Sequence, residues 1–328
     1  MKKVRQESIA KRRGAECPVA LTRYNAPMKF AFAFPYRRIT RYQGYRHQET
    51  FIEMLRRAEA LGFDAVAAGD HLFMPKYHQH VATEVWFDPF SFLSYAAGMT
   101  KLRVITDIVV VPYRSPFQTA KSIATLDFMS GGRVIAGMGA GYLEGEFATL
   151  RVPFRERGTM TDEYLDIMKV LWTQEEPRYQ GKYYSFSNIV FWPKPVQKPH
   201  PPLWIGGETL PSMRRAVRHG NGWIPFTVDV DGMKRAMRTL ESLWAEAGGR
   251  KPGFDIVMRA DRVHLTPQAI RSPERQLFWG SAEQIAGDIE AFIAAGATYC
   301  IANFQGFELG EHTENMERFA DEVMGKFR

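Results

Sequence analysis

Leu102-Arg-Val-Ile-Thr-Asp-Ile-Val-Val-Val111, Pro112-Tyr-Arg-Ser-Pro116, a helical pattern over Phe117–Met129, Ser130-Gly-Gly-Arg133 and Val134-Ile-Ala-Gly-Met-Gly-Ala-Gly-Tyr142, running on to Phe147, form the stretch that decides the fold. The first apolar run is β-branched and unbroken, as in a strand buried on both faces. Ser115 suits a helix cap, Pro116 the first helical position, and Gly131-Gly132 its end. A second buried strand, Val134–Met138, follows at once. This is a strand–helix–strand unit, and such units bind ligands at the carboxyl ends of their strands. Those ends are Asp107–Pro112 and Gly139–Tyr142.

The same alternation extends in both directions. Strands are expected at Lys29–Phe34, Ala65–Ala68, Leu203–Ile205, Gly222–Phe226, within Phe254–Leu265 and at Tyr299–Asn303, with helices at Thr50–Leu61, Asp88–Gly98, Thr161–Trp172, Pro211–His219, Val230–Ala247, Ser281–Ala295 and Thr313–Phe327. Eight strands, each followed by a helix, over about 300 residues predict a closed (β/α)8 barrel, with an open doubly wound sheet as the alternative. Extended loops are expected after strands 2, 4 and 7. No low-complexity linker divides the chain, so residues 28–328 are expected to form one domain.

Of the net charge of +7, residues 1–27 carry +5, from seven Lys and Arg against Glu7 and Glu16. The pI of 9.3 is therefore mainly a property of this basic leader and does not indicate nucleic-acid binding. The leader has no apolar core of a secretory signal. It is expected to be disordered, or to lie upstream of a natural start at Met28. No apolar stretch is long enough to cross a bilayer. Cys17 and Cys300 are the only cysteines. They form no metal-ligand spacing, and the expected compartment is reducing and cytoplasmic.

Four groups of residues could carry chemistry. Gly137-Met-Gly-Ala-Gly-Tyr142 is spaced G-x-G-x-G, not the G-x-G-x-x-G of a dinucleotide fingerprint. It suits close backbone approach to a flat ligand, or a plain tight turn. Trp204-Ile-Gly-Gly-Glu-Thr209 precedes a short helix, and Gly206, Gly207 and Thr209 could cradle a phosphate if Glu208 turns away; a plain turn is the other reading. Asp70-His71 closes strand 2 on the expected catalytic rim, where a histidine can pass a proton or serve only structure. His78 and His80 form a His-x-His pair without a third ligand nearby, so no metal is expected and their loop is expected to be a lid. Pro193–Pro199 is taken as a rigid connector. There is no Gly-x-Ser-x-Gly, Walker loop or basic–aromatic interleaving, so hydrolase, nucleotidase and nucleic-acid functions find no support.

From residue 28 onward the chain resembles the bacterial-luciferase-like superfamily of flavin- or deazaflavin (F420)-dependent oxidoreductases. The motifs are Ala58-Glu-Ala-Leu-Gly-Phe-Asp-Ala65, Asp70-His71, Pro112-Tyr-Arg-Ser-Pro116, Ser130-Gly-Gly-Arg-Val134, Gly137–Tyr142, Arg157-Gly-Thr-Met-Thr-Asp-Glu163, the run from Pro193 to Gly207, and Asn221-Gly-Trp223. The resemblance implies a (β/α)8 barrel, usually a homodimer, with a bulge and a cis peptide at Asp107-Ile108 behind the tricyclic ring. The ring and ribityl chain would meet Gly139, Ala140, Gly141 and Tyr142, and the phosphate would sit at Gly206, Gly207, Glu208 and Thr209. His71 would handle the proton, with Asp70 as its orienting partner. Some relatives carry an acid where Tyr142 stands.

The implied activity is F420-dependent hydride transfer to or from a small organic substrate. The alternatives are FMN-dependent monooxygenation, with a partner reductase and O2, and a non-catalytic flavin-binding protein. Arg114, Arg155 and Arg157 are candidates to hold the polyanionic F420 tail. Phe73, Met74, Tyr77, Trp86, Phe278 and Trp279 would line the pocket, which suggests an apolar or aromatic substrate.

Overall fold

The computed structural model describes residues 27–35, 48–76, 85–306 and 309–328. The leader, and Tyr77, His78 and His80 of the expected lid, lie outside the described residues. Eight parallel strands form the barrel, with the short pair Trp279–Gly280 added alongside the seventh: β1 (Lys29–Ala33), β2 (Ala65–Ala68), β3 (Arg103–Val110), β4 (Val134–Gly139), β5 (Leu203–Gly206), β6 (Gly222–Ile224), β7 (Asp255–Leu265) and β8 (Tyr299–Phe304). They pair in chain order from β1 to β6; β6 pairs with β7, β7 with β8, and β8 with β1. The sheet closes on itself, so the fold is a (β/α)8 barrel and the open doubly wound alternative is excluded. The helices are α1 (Gln48–Ala60), α2 (Pro89–Met99), α3 (Pro116–Ser130), α4 (Glu144–Leu150), α5 (Arg157–Thr173), α6 (Leu210–His219), α7 (Val230–Glu246), α8 (Ala282–Ala294) and α9 (Leu309–Arg318).

The period-2 alternation of β1 shows how the sequence builds this shape. Phe30 and Phe32 join the large core between the strands and the helices. Ala31 and Ala33 face inward and pack with Ala65, Ala67, Ile105, Ile135, Trp204 and Tyr299 in the barrel interior. Small residues on the inner face and large ones on the outer face fit the narrow interior of an eight-stranded barrel. The helix ends follow the expected chemistry. Ser115 caps α3 by accepting from the Gln118 N–H, and Gly131 ends it at φ +69°. Ser281 and Gln284 form a capping box on α8.

Three elements differ most from expectation. α5 starts at Arg157, four residues early. The last regular α-helix is α9, ending at Arg318, and the chain from Phe319 to Phe327 winds as one π and one 3-10 segment. The connection after β4 contains α4, a helix the apolar pattern did not signal because it is only seven residues long.

The expected irregularity in β3 is present. Its register against β4 shifts between Thr106 and Val109, and the Asp107–Ile108 peptide is cis. The Ile108 side chain stands among the glycines of β4 and β5. A Cβ at position 139 would lie 2.2 Å from Ile108 Cδ1, and one at position 206 would lie 2.5 Å from it. Gly139 and Gly206 are therefore small because Ile108 occupies the space above them.

Gly139→Ala is expected to cost about 1–3 kcal/mol of stability, as overpacking does. Ile108→Val removes the clashing Cδ1 and should restore most of that loss in the double variant. Chemical denaturation of the four proteins checks this; additive losses would show that the contact is not the cause.

Candidate active site

The carboxyl ends of β2, β3 and β4 meet on one rim, where two buried carboxylates organise the side chains. Asp70, at the end of β2, is 3% exposed. It accepts from the Val110 N–H at 3.0 Å and from Arg114 Nη1 and Nη2 at 2.7 and 2.8 Å, a bidentate pair. Arg114 also reaches Asp88, the cap of α2, at 3.4 Å. Asp70 thus ties the end of β2 to the end of β3 and is not the partner of His71. That expectation is corrected: its oxygens are committed to Arg114 and the Val110 amide.

Glu146, fully buried on α4, is the partner of His71. His71 Nδ1 lies 2.6 Å from Glu146 Oε2, and the same oxygen accepts from the Tyr113 hydroxyl at 2.8 Å. Glu146 Oε1 accepts the Leu72 N–H at 3.1 Å. Burial first, and then the Glu146 carboxylate, hold the Tyr113 phenol far above its ordinary pKa, so it remains a donor. The Glu146 oxygen that accepts from Tyr113 also faces Nδ1, which assigns the imidazole N–H to Nδ1 by the logic of the network. Nε2 is then the nitrogen left for chemistry.

The ring of His71 is walled by aromatics. Trp86 lies 4.4 Å from it and Tyr142 6.1 Å, centroid to centroid. Tyr142 in turn lies 6.3 Å from Phe226, and both are more than half exposed at the mouth. A cavity of about 210 Å³ opens beside them, lined by Phe226, Arg259, Asp261, Leu277 and Phe278 among others. Phe278 is only 4% exposed and stacks on Phe292, so it is mainly core. Trp279 packs on His264 instead of the rim cluster. Across the barrel, Arg259 Nη1 donates to Asp107 Oδ1 at 2.6 Å, which pairs the charge beside the cis peptide.

The β5–α6 loop is held by its own hydrogen bonds. Glu208 turns away, its Oε1 accepting the Phe226 and Thr227 amides at 2.7 Å each. The Gly207 N–H bonds the Ile224 carbonyl, and its own carbonyl accepts from Trp223 Nε1. The Thr209 hydroxyl caps α6 and donates to Ser212 Oγ. Among the described residues, the N–H groups of Glu208, Thr209 and Leu210 have no backbone acceptor. Ala140 and Gly141 are half-buried beside Ile108's strand, with Gly141 at φ +79°. Of the three arginines proposed for an anionic tail, Arg114 serves Asp70, and Arg157 donates to the Gly141 and Phe154 carbonyls and lies over the Phe154 ring. Arg155 alone is exposed.

The mouth of the closed (β/α)8 barrel thus carries a buried acid–imidazole pair, the apolar Ile108 and the loop ahead of α6, on the rim where barrel enzymes build their active sites. The chain belongs to the luciferase-like monooxygenase family, whose sequence profile matches residues 28–269. It is 34% identical over 222 residues to an uncharacterized protein of Mycobacterium tuberculosis, covering 65% of this chain and 77% of that one. It is 31% identical over 155 residues to the FMNH(2)-dependent dimethylsulfone monooxygenase of Pseudomonas putida, covering 46% and 42%. The fold matches the coenzyme F420-dependent tetrahydromethanopterin reductase of Methanopyrus kandleri with a TM-score of 0.73 at 19% identity, over 92% of this chain and 100% of that one. No helix among the described residues is long and apolar enough to cross a membrane.

Sequence reasoning missed Glu146, Tyr113 and Arg259. Glu146 carried one usable signal: it precedes Phe147 in a segment rich in acids just after a buried strand. Glu146→Gln keeps the shape but presents Nε2 or Oε1 of an amide to His71 and Tyr113. The expected result is a mixed His71 tautomer in place of the Nδ1–H form, seen in the ¹⁵N shifts of the imidazole. An unchanged spectrum would show that Glu146 does not orient the ring.

Proposed function

We propose that this protein is an F420-dependent oxidoreductase that moves a hydride between the deazaflavin and a small, apolar or aromatic organic substrate. The observation that carries this reading is the Glu146–His71–Tyr113 network, which holds an imidazole in one tautomer at the end of β2. Hydride transfer between carbon centres leaves a proton to be taken up or delivered, and a positioned imidazole contributes about 10²–10⁴-fold to such a step.

The residues present fit the cofactor. Ile108 offers a half-buried apolar shelf at the base of the mouth, and Gly139, Ala140, Gly141 and Tyr142 border it. The N–H groups of Glu208 and Thr209, which have no backbone acceptor, and the N-terminus of α6 suit a phosphate, where backbone donors and the helix dipole act together. When bound, the deazaflavin supplies two-electron hydride chemistry. The chain supplies the rest. His71 Nε2 exchanges the proton, Glu146 holds Nδ1–H and steadies the imidazolium that forms on protonation, and Tyr113 keeps Glu146 in place. Trp86, Tyr142 and Phe226 exclude water from the same space.

The second reading is FMN-dependent monooxygenation with reduced flavin supplied by a reductase. The match to the Pseudomonas putida enzyme supports it. The charged tail of F420 separates the two readings, since the exposed Arg155 is the one candidate arginine left to meet it.

Titration of the purified protein with F420 and with FMN tests the choice. F420 is expected to bind at least tenfold more tightly; binding of FMN alone would transfer the assignment to the monooxygenase reading, and binding of neither would overturn both. In the F420-loaded protein, His71→Ala should retain the cofactor and lose at least about 10²-fold in turnover. Full activity would remove His71 from the reaction.

A further inference from the structure

The end of the barrel opposite the catalytic rim holds a second cavity, of about 450 Å³. Lys29 opens β1, Arg103 opens β3 and Asp255 opens β7, and all three line it. Lys169 of α5, Lys198 and Lys251 of the connections before β5 and β7, and His219 at the end of α6 complete the charged wall. Five cations, of which Lys29 and Lys198 are exposed, therefore surround a space lined by one carboxylate, with Asp166 behind Lys169 and His219.

That single carboxylate attracts Lys29 and Arg103 across the cavity but makes no direct ion pair with them. Asp255 Oδ2 accepts from Trp204 Nε1 at 3.2 Å, and Oδ1 from the Thr298 hydroxyl at 3.4 Å. Among the described residues, the Lys29 and Arg103 side chains make no hydrogen bond or direct ion pair. Lys198 reaches only the Pro195 carbonyl, and Lys251 only those of Arg218 and Gly220. Lys169 Nζ lies 3.4 Å from His219 Nδ1, a poor partner in so basic a setting. His219 is itself 3% exposed, and its Nε2 has no hydrogen-bond partner. Like charges brought together by the fold, in a concave and partly desolvated place, repel unless an anion joins them.

We propose that this cavity binds a small polyanion of the phosphate class, at a site separate from the redox centre. Lysine ammonium groups converging with an arginine fork are a donor set for phosphate oxygens. The volume is that of a small-molecule pocket, which runs from about 300 to 1,000 Å³. Five cations favour a ligand with more than two charges over a single monoanion. Binding here would clamp α5, α6 and the amino ends of β1, β3 and β7 together.

Burial, and then Lys251, lower the Lys169 pKa to about 8. The groups facing Lys169 are Asp166 on its own helix, Arg218 and His219 on α6, and Lys251 and His200 on the connections. A bound anion raises the Lys169 pKa again, so binding near pH 8 takes up protons.

Isothermal titration of the whole protein with pyrophosphate, inorganic phosphate and citrate, at constant ionic strength, tests the proposal. The expected result is one pyrophosphate per chain, bound at least tenfold more tightly than phosphate or citrate. The heat at pH 8 should depend on the ionisation enthalpy of the buffer, and bound pyrophosphate should raise Tm. Lys169→Gln should weaken binding at least tenfold and abolish the buffer dependence. Arg103→Gln should weaken binding alone, and it serves if the first variant does not fold. His71→Ala should bind as wild type does. Unsaturable heats, or equal affinity in both cavity variants, would overturn the site; citrate binding as tightly as pyrophosphate would overturn the phosphate class.

Discussion

A carboxylate with no solvent exposure sets the terms for the catalytic rim. Removing such a charge from water costs several kcal/mol unless donors replace the water. Glu146 meets that demand with three: the His71 imidazole, the Leu72 amide and the Tyr113 hydroxyl. They come from the segments that follow β2 and β3, while Glu146 comes from the segment that follows β4. Three loops are thereby held at one point. Asp70 repeats the device one step deeper, joining the end of β2 to the Val110 amide and Arg114. Loss of either carboxylate would free several loops at once, so catalytic geometry and local stability here have the same source.

The barrel itself was legible because its information is local and repeated. Each strand is a short apolar run and each helix a periodic one, bounded by Ser, Pro or Gly, and eight such units leave few ways to close a sheet. The alternating Phe and Ala of β1 even distinguish the helix-facing side from the interior. Boundaries failed where that information is thin. Seven residues are too few for a periodic stripe to declare α4, and α9 passes into a π segment without a break in the apolar pattern.

The site was legible as a place but not as a set of partners. Asp70-His71, Asp107-Ile108, Gly139–Tyr142 and Gly206–Thr209 all lie at the carboxyl ends of strands, where the order of elements puts them. Which acid meets which base is decided by contacts far apart in sequence. His71 and Glu146 are 75 residues apart, and Arg259 and Asp107 are 152 apart. Adjacency favoured Asp70 as the partner of His71. Yet neighbouring residues at a strand end diverge, and the fold sends one carboxylate towards Arg114 and the imidazole towards α4. The glycines teach a related lesson. A missing side chain at 139 and 206 signals close approach, but the approaching group is Ile108 of β3, which fills the space above both glycines.

The two ends of the barrel handle charge in opposite ways. At the catalytic rim, each buried acid is matched at close range: Asp70 by Arg114, Asp107 by Arg259, and Glu146 by three donors. At the other end, Lys29 and Arg103 stand at the first residues of their strands without a direct ion pair, and share one carboxylate that is already turned to Trp204. Packing of the barrel does not require this arrangement. The interior layer of Ile, Ala, Trp204 and Tyr299 separates the two ends and is complete without it. An anion that joins them therefore gains from repulsion the fold has already built in, while the matched charges of the catalytic rim offer no such gain.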